Sequence, residues 1–411
     1  MKQQLHRRFT DNHLKVLFDL YLKKALSAND VISQLGCSRS RFFDLLKRYR
    51  QDPKGFTVAY RRRQPHYRLS PEIDQIIREE LEKDYQLIRN PATPITNYNY
   101  AYIRTQVVTR SGKPISTQTV RNRAKDWGFY RAKRKRKEKI SRVVTTEAVG
   151  MLLQHDSSHH KWSPYADKKW SLITTIEDHS RYLLYAELVD VETTWAHIQA
   201  IKSVALKYGI GQIYYVDRHS IFRYQHRNET VWRRRHQVEE ALTQWRIVLE
   251  KCRMRVLYAL SPEAKGKVER PYRWLQDHIV RTCAREKIST IDQAREVLKQ
   301  EIKHYNEQLI HSTTGEIPVK RLKRAIQEGR NYFKTFQLPP HCKSLKDVFC
   351  LHQYRRVDGY NRITWQNKKI KIPVFVPQGS LIELHIIPHP DKKEIRIWCK
   401  NRVVKVIYYK T

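Results

Sequence analysis

No stretch of the chain approaches the roughly 18 consecutive apolar residues of a membrane helix, and Met1–Thr10 contains no apolar run of the signal-peptide kind. The expectation is a soluble protein that is not secreted, cytoplasmic and nucleoid-associated in a bacterium. Cysteines stand at 37, 252, 283, 342, 350 and 399 with no CxxC pair among them, so neither a disulfide framework nor a structural zinc cluster is indicated. Acid is the other scarcity. Asp plus Glu number 41 against 80 Lys plus Arg, which gives a net charge of +39 and a pI near 10.0. Such a charge on a soluble chain calls for a polyanionic partner, and nucleic acid is the usual one. A disordered basic tail is excluded by 9 Trp, 24 Tyr and 11 Phe, enough to bury real cores. At 411 residues the chain has room for two to four domains.

The charge is unevenly spread. Residues 1–145 hold 33 basic and 13 acidic side chains, residues 146–310 hold 26 and 21, and residues 311–411 hold 21 and 7. A nearly neutral middle between two basic flanks is the pattern of a chemical core carried by DNA-gripping modules.

Residues 1–52 read as a helix-turn-helix domain. Ser27 is an N-cap, Val31, Ile32 and Leu35 share a face, and Gly36 supplies the tight turn. A second helix begins at Ser38 with Phe42, Leu45, Leu46 and Tyr49 packing inward. That leaves Ser38, Arg39, Ser40 and Arg41 at the exposed end where a recognition helix meets DNA. Residues 66–130 read as a second helical DNA-binding domain, opened by Ser70 as cap and Pro71 in the first turn. Its last helix, Ser116–Trp127, buries Val120, Ala124 and Trp127 and presents Arg121 and Arg123. Residues 131–145 form a basic linker. Lys133, Arg134, Lys135 and Arg136 belong to a run that is read here as tracking phosphates, although a solvated linker or a nuclear-localisation signal has the same composition.

Residues 146–312 change character. Met151–His155 lead into Asp156; two apolar runs, Trp170–Glu177 and Arg181–Val189, form a hairpin; a helix spans Thr194–Tyr208; and a short strand, Gln212–Val216, ends at Asp217. A helix over 236–251, a strand over Arg253–Leu260 and a helix opened by Ser261–Gly266 follow. Three strands, a helix, a strand, a helix, a strand and a helix, with acids ending the first and fourth strands, make a ribonuclease H-like order. Residues 345–411 carry short alternating strands and read as a small β-barrel for DNA binding and assembly. The fold class is multidomain α+β.

Four segments carry a family resemblance: Gln154-His155-Asp156, Thr174–Arg181, Tyr215–Ser220 and Ser261–Arg270 (SPEAKGKVER). Through them the chain resembles the DDE transposases of the retroviral integrase superfamily, in particular insertion-sequence and phage Mu-like transposases. The resemblance implies a catalytic and metal-holding triad of Asp156, Asp217 and Glu269, with two Mg²⁺ ions, or Mn²⁺ in their place, and Asp156 bridging both. It implies cleavage of element ends and strand transfer into target DNA by a homo-oligomer assembled on double-stranded DNA. Carboxylates suit this chemistry because hard divalent cations stabilise the attacking and leaving oxygens of a phosphodiester displacement. Asp217 and Glu269 lie 52 positions apart, longer than is common in the superfamily, which places an insert at Tyr224–Arg235. Glu263 is a rival third acid, but it precedes the glycine in a loop. Glu177 and Asp178 read as solvated turn residues, and His155, His159, His160 and Trp162 as satisfied or DNA-facing side chains. Lys265, Lys267 and Arg270 would hold scissile-strand phosphates. The alternative reading is a transposase-derived DNA-binding regulator that no longer catalyses.

Overall fold

Caps placed by short polar residues set the helix boundaries of the N-terminal unit. The computed structural model describes residues 5–59, 69–132, 146–217, 219–222, 243–259 and 266–410, with the side chains of residue 7 and of 266–270 left out. The chain divides into two compact units, Met1–Pro71 and Glu72–Thr411. In the first, α1 (Leu5–Arg8) is a single turn before α2 (Asp11–Leu22), α3 (Ala28–Leu35) and α4 (Arg39–Gln51). Thr10, Ser27 and Ser38 cap the last three by accepting from His13, Asp30 and Arg41 amides, and Asp30 completes a capping box. Gly36 ends α3 at φ +59°, a left-handed conformation that glycine adopts without a Cβ clash. Leu14, Phe18, Val31, Leu35, Phe42, Leu45 and Phe56 form a core wholly within this unit.

The second unit begins with α5 (Pro71–Arg89), α6 (Tyr100–Ser111) and α7 (Thr117–Asp126). Ser116 caps α7 as expected. Ser70 does not cap α5, since its buried Oγ has no hydrogen-bond partner. Trp127 closes α7 only half-buried, beside the buried Val120 and Ala124.

The centre is a five-stranded sheet: β1 (Leu152–His160), β2 (Trp170–Glu177), β3 (Leu183–Val189), β4 (Ile213–Val216) and β5 (Arg255–Tyr258), in the order β3-β2-β1-β4-β5. β1–β2 and β2–β3 pair antiparallel, while β1–β4 and β4–β5 pair parallel. Helices cover both faces, which explains why every residue of β2 is buried. On one face α8 (Thr194–Lys207) and α9 (Gln244–Lys251) bring Ile198, Ile201, Trp245 and Val248 onto Leu153, Tyr214 and Val216. On the other, α10 (Gly266–Arg285) and α11 (Ile291–Glu307) bring Leu275, Ile279, Val297 and Leu298 onto Leu172, Ile176 and Leu188. α12 (Pro318–Gln327) follows. The helix expected over 236–251 begins at Gln244, where Thr243, in an extended conformation, caps it by accepting from the Arg246 amide; residues 223–242, which include the Tyr224–Arg235 insert, lie outside the described residues.

Two expectations are corrected. Glu177 and Asp178 are not solvated. Glu177 accepts hydrogen bonds from the amides of Ser180 (2.7 Å), His179 (3.1 Å) and Gly150 (3.3 Å), and Asp178 pairs with Arg181 at 2.7 Å. The hairpin turn is buried, so its acids knot the backbone together. The C-terminal strands are the second case. β6 (Leu351–Arg356), β9 (Leu381–Pro388), β10 (Lys392–Cys399) and β11 (Arg402–Lys410) form an open antiparallel sheet, β11-β10-β9-β6. β7 (Arg362–Trp365) and β8 (Lys368–Lys371) form a separate hairpin. The hairpin's Ile363, Trp365 and Ile370 share a core with Leu384 and Ile395 of the sheet. No closed ring of strands is seen among the described residues, and Pro373 and Pro377 after β8 have no N–H with which to extend a ladder.

Candidate active site

Strand register brings the first two acids together. On the parallel pair β1–β4, Leu152, Leu153 and Gln154 stand opposite Ile213, Tyr214 and Tyr215. Asp156 lies two residues beyond Gln154 in β1, and Asp217 lies two residues beyond Tyr215, just past the end of β4, so both acids stand at the same end of this strand pair. Neighbouring strands lie about 4.8 Å apart, which puts both positions at one edge of the sheet. Asp217 also accepts the His219 amide at 2.9 Å, which closes a tight turn and orients the carboxylate.

Helix α10 approaches this edge through Tyr272. Its hydroxyl accepts a hydrogen bond from Thr174 at 2.7 Å, and Thr174 is the cross-strand neighbour of Asp156. Burial, then the negative charge of Asp156, and further those of Glu192 and Asp217, push the Tyr272 hydroxyl well above its ordinary pKa. Position 269 lies three residues before Tyr272 on the same helix, one turn away and on the same face. The Glu269 side chain, like those of Lys267 and Arg270, is outside the described set, and Lys265 and Glu263 lie outside it altogether.

Glu192 was not singled out from the sequence. It sits in the loop between β3 and α8, where it accepts from Ser157 Oγ at 2.6 Å and lies 2.9 Å from His197 Nε2. The hydrogen bond to His197 dominates, and with that from Ser157 it holds the Glu192 carboxyl down at about 2. His197 Nδ1 in turn meets His155 Nε2 at 2.8 Å, and His155 Nδ1 meets Thr175 Oγ1 at 2.8 Å. A buried chain of polar groups thus runs from Thr175 to Ser157 and braces both flanks of Asp156. The expectation that His155 is satisfied agrees with this, as do a 3.1 Å bond between His159 and Ser171 and a 3.0 Å bond from Trp162 to the Trp170 carbonyl. The available signal was an acid at a strand-to-helix junction, five residues before a histidine on the helix.

Besides Lys265, Lys267 and Arg270, the residues expected to meet DNA fall in three groups. Ser38, Arg39, Ser40 and Arg41 are exposed at the start of α4. There Ser38 is engaged as the cap, Arg39 lies over the Phe43 ring, and Arg41 pairs with Asp44 at 3.1 Å. Arg121 is exposed and lies over Tyr100, whereas Arg123 is held by Asp74 through two bonds of 2.7 and 3.0 Å. The Arg123 guanidinium is thus already engaged within the module. Lys133, Arg134, Lys135 and Arg136 lie outside the described residues.

Comparison with known proteins finds two transposase relatives. The chain is 26% identical over 280 residues to the candidate transposase y4bF of Sinorhizobium fredii, covering 68% of this chain and 56% of that protein. It is 27% identical over 165 residues to the transposase for insertion sequence IS1202 of Streptococcus pneumoniae, covering 40% and 34%. The chain therefore spans about half or less of the length of the curated relatives it matches. No family model matches. Among solved structures, the simian T-cell lymphotropic virus intasome in complex with PP2A regulatory subunit B56 gamma aligns at a TM-score of 0.34 and 10% identity, over 75% of this chain and 92% of that one. The HTLV-2 integrase catalytic core domain in complex with magnesium aligns at 0.31 and 14%, over 43% and 98%. Both scores are low, and no fold is assigned from them.

Proposed function

We propose that this relative of the insertion-sequence transposases is itself a DDE transposase, which binds the ends of its mobile element and catalyses metal-dependent DNA cleavage and strand transfer. The observation that carries the reading is that Asp156 and Asp217 stand at the same end of the paired strands β1 and β4, with position 269 of α10 three residues before the Tyr272 that bonds Thr174, the cross-strand neighbour of Asp156. The sheet order, three antiparallel strands followed by two parallel ones with helices on both faces, supports a ribonuclease H-like core.

A donor set of carboxylates beside a buried phenol fits Mg²⁺, a hard cation that takes oxygen ligands and keeps positions open for phosphate oxygens. Asp156, Asp217 and Glu269 would hold it. Two such ions, when bound, would stabilise the attacking and leaving oxygens of the displacement. The chain's own part is to position them. Ser157, Glu192, His197 and His155 lock the backbone of β1 around Asp156, and the His219 amide fixes Asp217. The exposed N-terminus of α4, the α5–α7 module, the basic segment 131–145 and Lys265, Lys267 and Arg270 would grip duplex DNA, with assembly into a homo-oligomer on paired ends. A net charge of +39 supports polyanion binding.

Labelled duplexes carrying the gene's own flanking ends test this. Nicking to a 3′-OH and joining in Mg²⁺, abolished by EDTA and by Asp217→Asn, are expected. Tight binding without cleavage, unchanged by Asp217→Asn, would overturn catalysis in favour of the regulator reading.

A further inference from the structure

The C-terminal sheet carries a cluster that the cysteine spacing did not reveal. β6 and β9 pair antiparallel with His352 directly opposite His385 and Tyr354 opposite Glu383. Cys350 lies two residues before His352, and Glu383 two residues before His385. Period-two alternation therefore puts all four side chains on one face of the strand pair. Cys350, His352 and His385 are each almost completely buried. One donor atom from each, a thiol sulfur and two imidazole nitrogens, lies within 4.8 Å of the others.

We infer that Cys350, His352 and His385 form a structural site for a zinc-class divalent cation, with Glu383 orienting the histidines. The geometry fits in three respects. Cys350 Sγ is 3.5 Å from His352 Nε2, and a tetrahedral centre with Zn–S near 2.3 Å and Zn–N near 2.0–2.1 Å requires about 3.6 Å between those atoms. The other ring nitrogen of His352 is 2.6 Å from Glu383 Oε1, the carboxylate–histidine arrangement that fixes the tautomer of a metal ligand. His385 Nε2 lies 3.2 Å from Glu383 Oε1, while the buried Nδ1 on the other side of the ring has no hydrogen-bond partner. An imidazole left that way inside a protein is costly unless something else takes its lone pair.

Binding would take the thiol proton, since metal affinity is coupled to ligand deprotonation. A divalent cation, the Cys350 thiolate and Glu383 together are neutral, and Lys251 lies at the edge of the group with its Nζ 3.9 Å from Glu383 Oε1. Trp398 stacks on His385 at 4.7 Å and covers the group. Three protein donors leave the fourth position to water. The mixed sulfur and nitrogen set selects zinc over the magnesium expected at the carboxylates, and the site would clamp β6 to β9. The inference does not depend on the chain being a transposase.

The untagged full chain, expressed with zinc and dialysed, is expected to retain about one zinc per chain. Cobalt reconstitution should give a thiolate-to-cobalt charge-transfer band that Cys350→Ser removes and Cys399→Ser keeps. His385→Asn should lose the metal, while Asp217→Asn should retain it. Native protein with no retained zinc and no charge-transfer band would overturn the inference without reference to any variant. So would a band indifferent to Cys350→Ser.

Discussion

The two N-terminal helical modules look alike in sequence and are built differently. In Met1–Pro71 three capped helices close over an apolar core of their own, with Phe18, Phe42, Tyr49 and Phe56 in mutual ring contact. The α5–α7 module instead docks on α10, the helix that carries Glu269. Arg281, almost fully buried, reaches Asp84 at 2.6 Å and Asp277 at 2.8 Å, and Arg285 reaches Glu80 and Asp84 at 2.5 Å. Tyr102 bonds Thr282 at 2.7 Å, and Ile95 packs on Val280 and Ala284. One module is held by burial of apolar area, which is non-directional. The other is held by charge pairs, which fix one docking geometry. Burial pushes the Asp84 carboxyl up even with two arginines beside it, so the pairing works against desolvation.

Breaking the second module's contact should have the largest effect. Arg281→Ala leaves the buried Asp84 with one of its two arginines and removes the partner of Asp277, and is expected to cost about 3 kcal/mol. The loss should appear, by hydrogen exchange, in α5, α10 and the central sheet, and equal protection there in variant and parent would refute the docking role. Restoring shape without charge, with Arg281→Met and Asp84→Leu together, should recover most of that loss in a denaturant titration. Protein as unstable as the single variant would show that the ions act by more than mutual compensation. The comparison is sharpened in the first module by Ser27→Ala. Losing the α3 cap should cost about 1 kcal/mol, with slower-exchanging amides lost in α2–α4 and none in the central sheet.

What was legible was local. Ser27, Gly36, Ser38 and Ser116 act within three or four residues of themselves, and each stands where its chemistry placed it. Asp156 and Asp217 drew attention because each follows a short strand-like run, and those runs are β1 and β4. The missing parts are pairings across long stretches of chain. Asp84 and Arg281 lie 197 positions apart, and nothing about either residue names the other. Glu177 looked like a turn acid until burial of the hairpin was seen, and the Cys350–His385 group needs strand register that spacing alone does not supply. The open C-terminal sheet is a similar case, because alternation identifies strands but not whether their edges meet.

The central claim is that Asp156, Asp217 and Glu269 hold divalent metal together. Replacing Mg²⁺ with Fe²⁺ and mapping hydroxyl-radical cuts in the polypeptide tests it directly. Cuts at 156, at 217 and at the start of α10, competed away by Mg²⁺ and lost in Asp217→Asn, are predicted. Cutting that avoids those three segments, or that persists unchanged in Asp217→Asn, would contradict it.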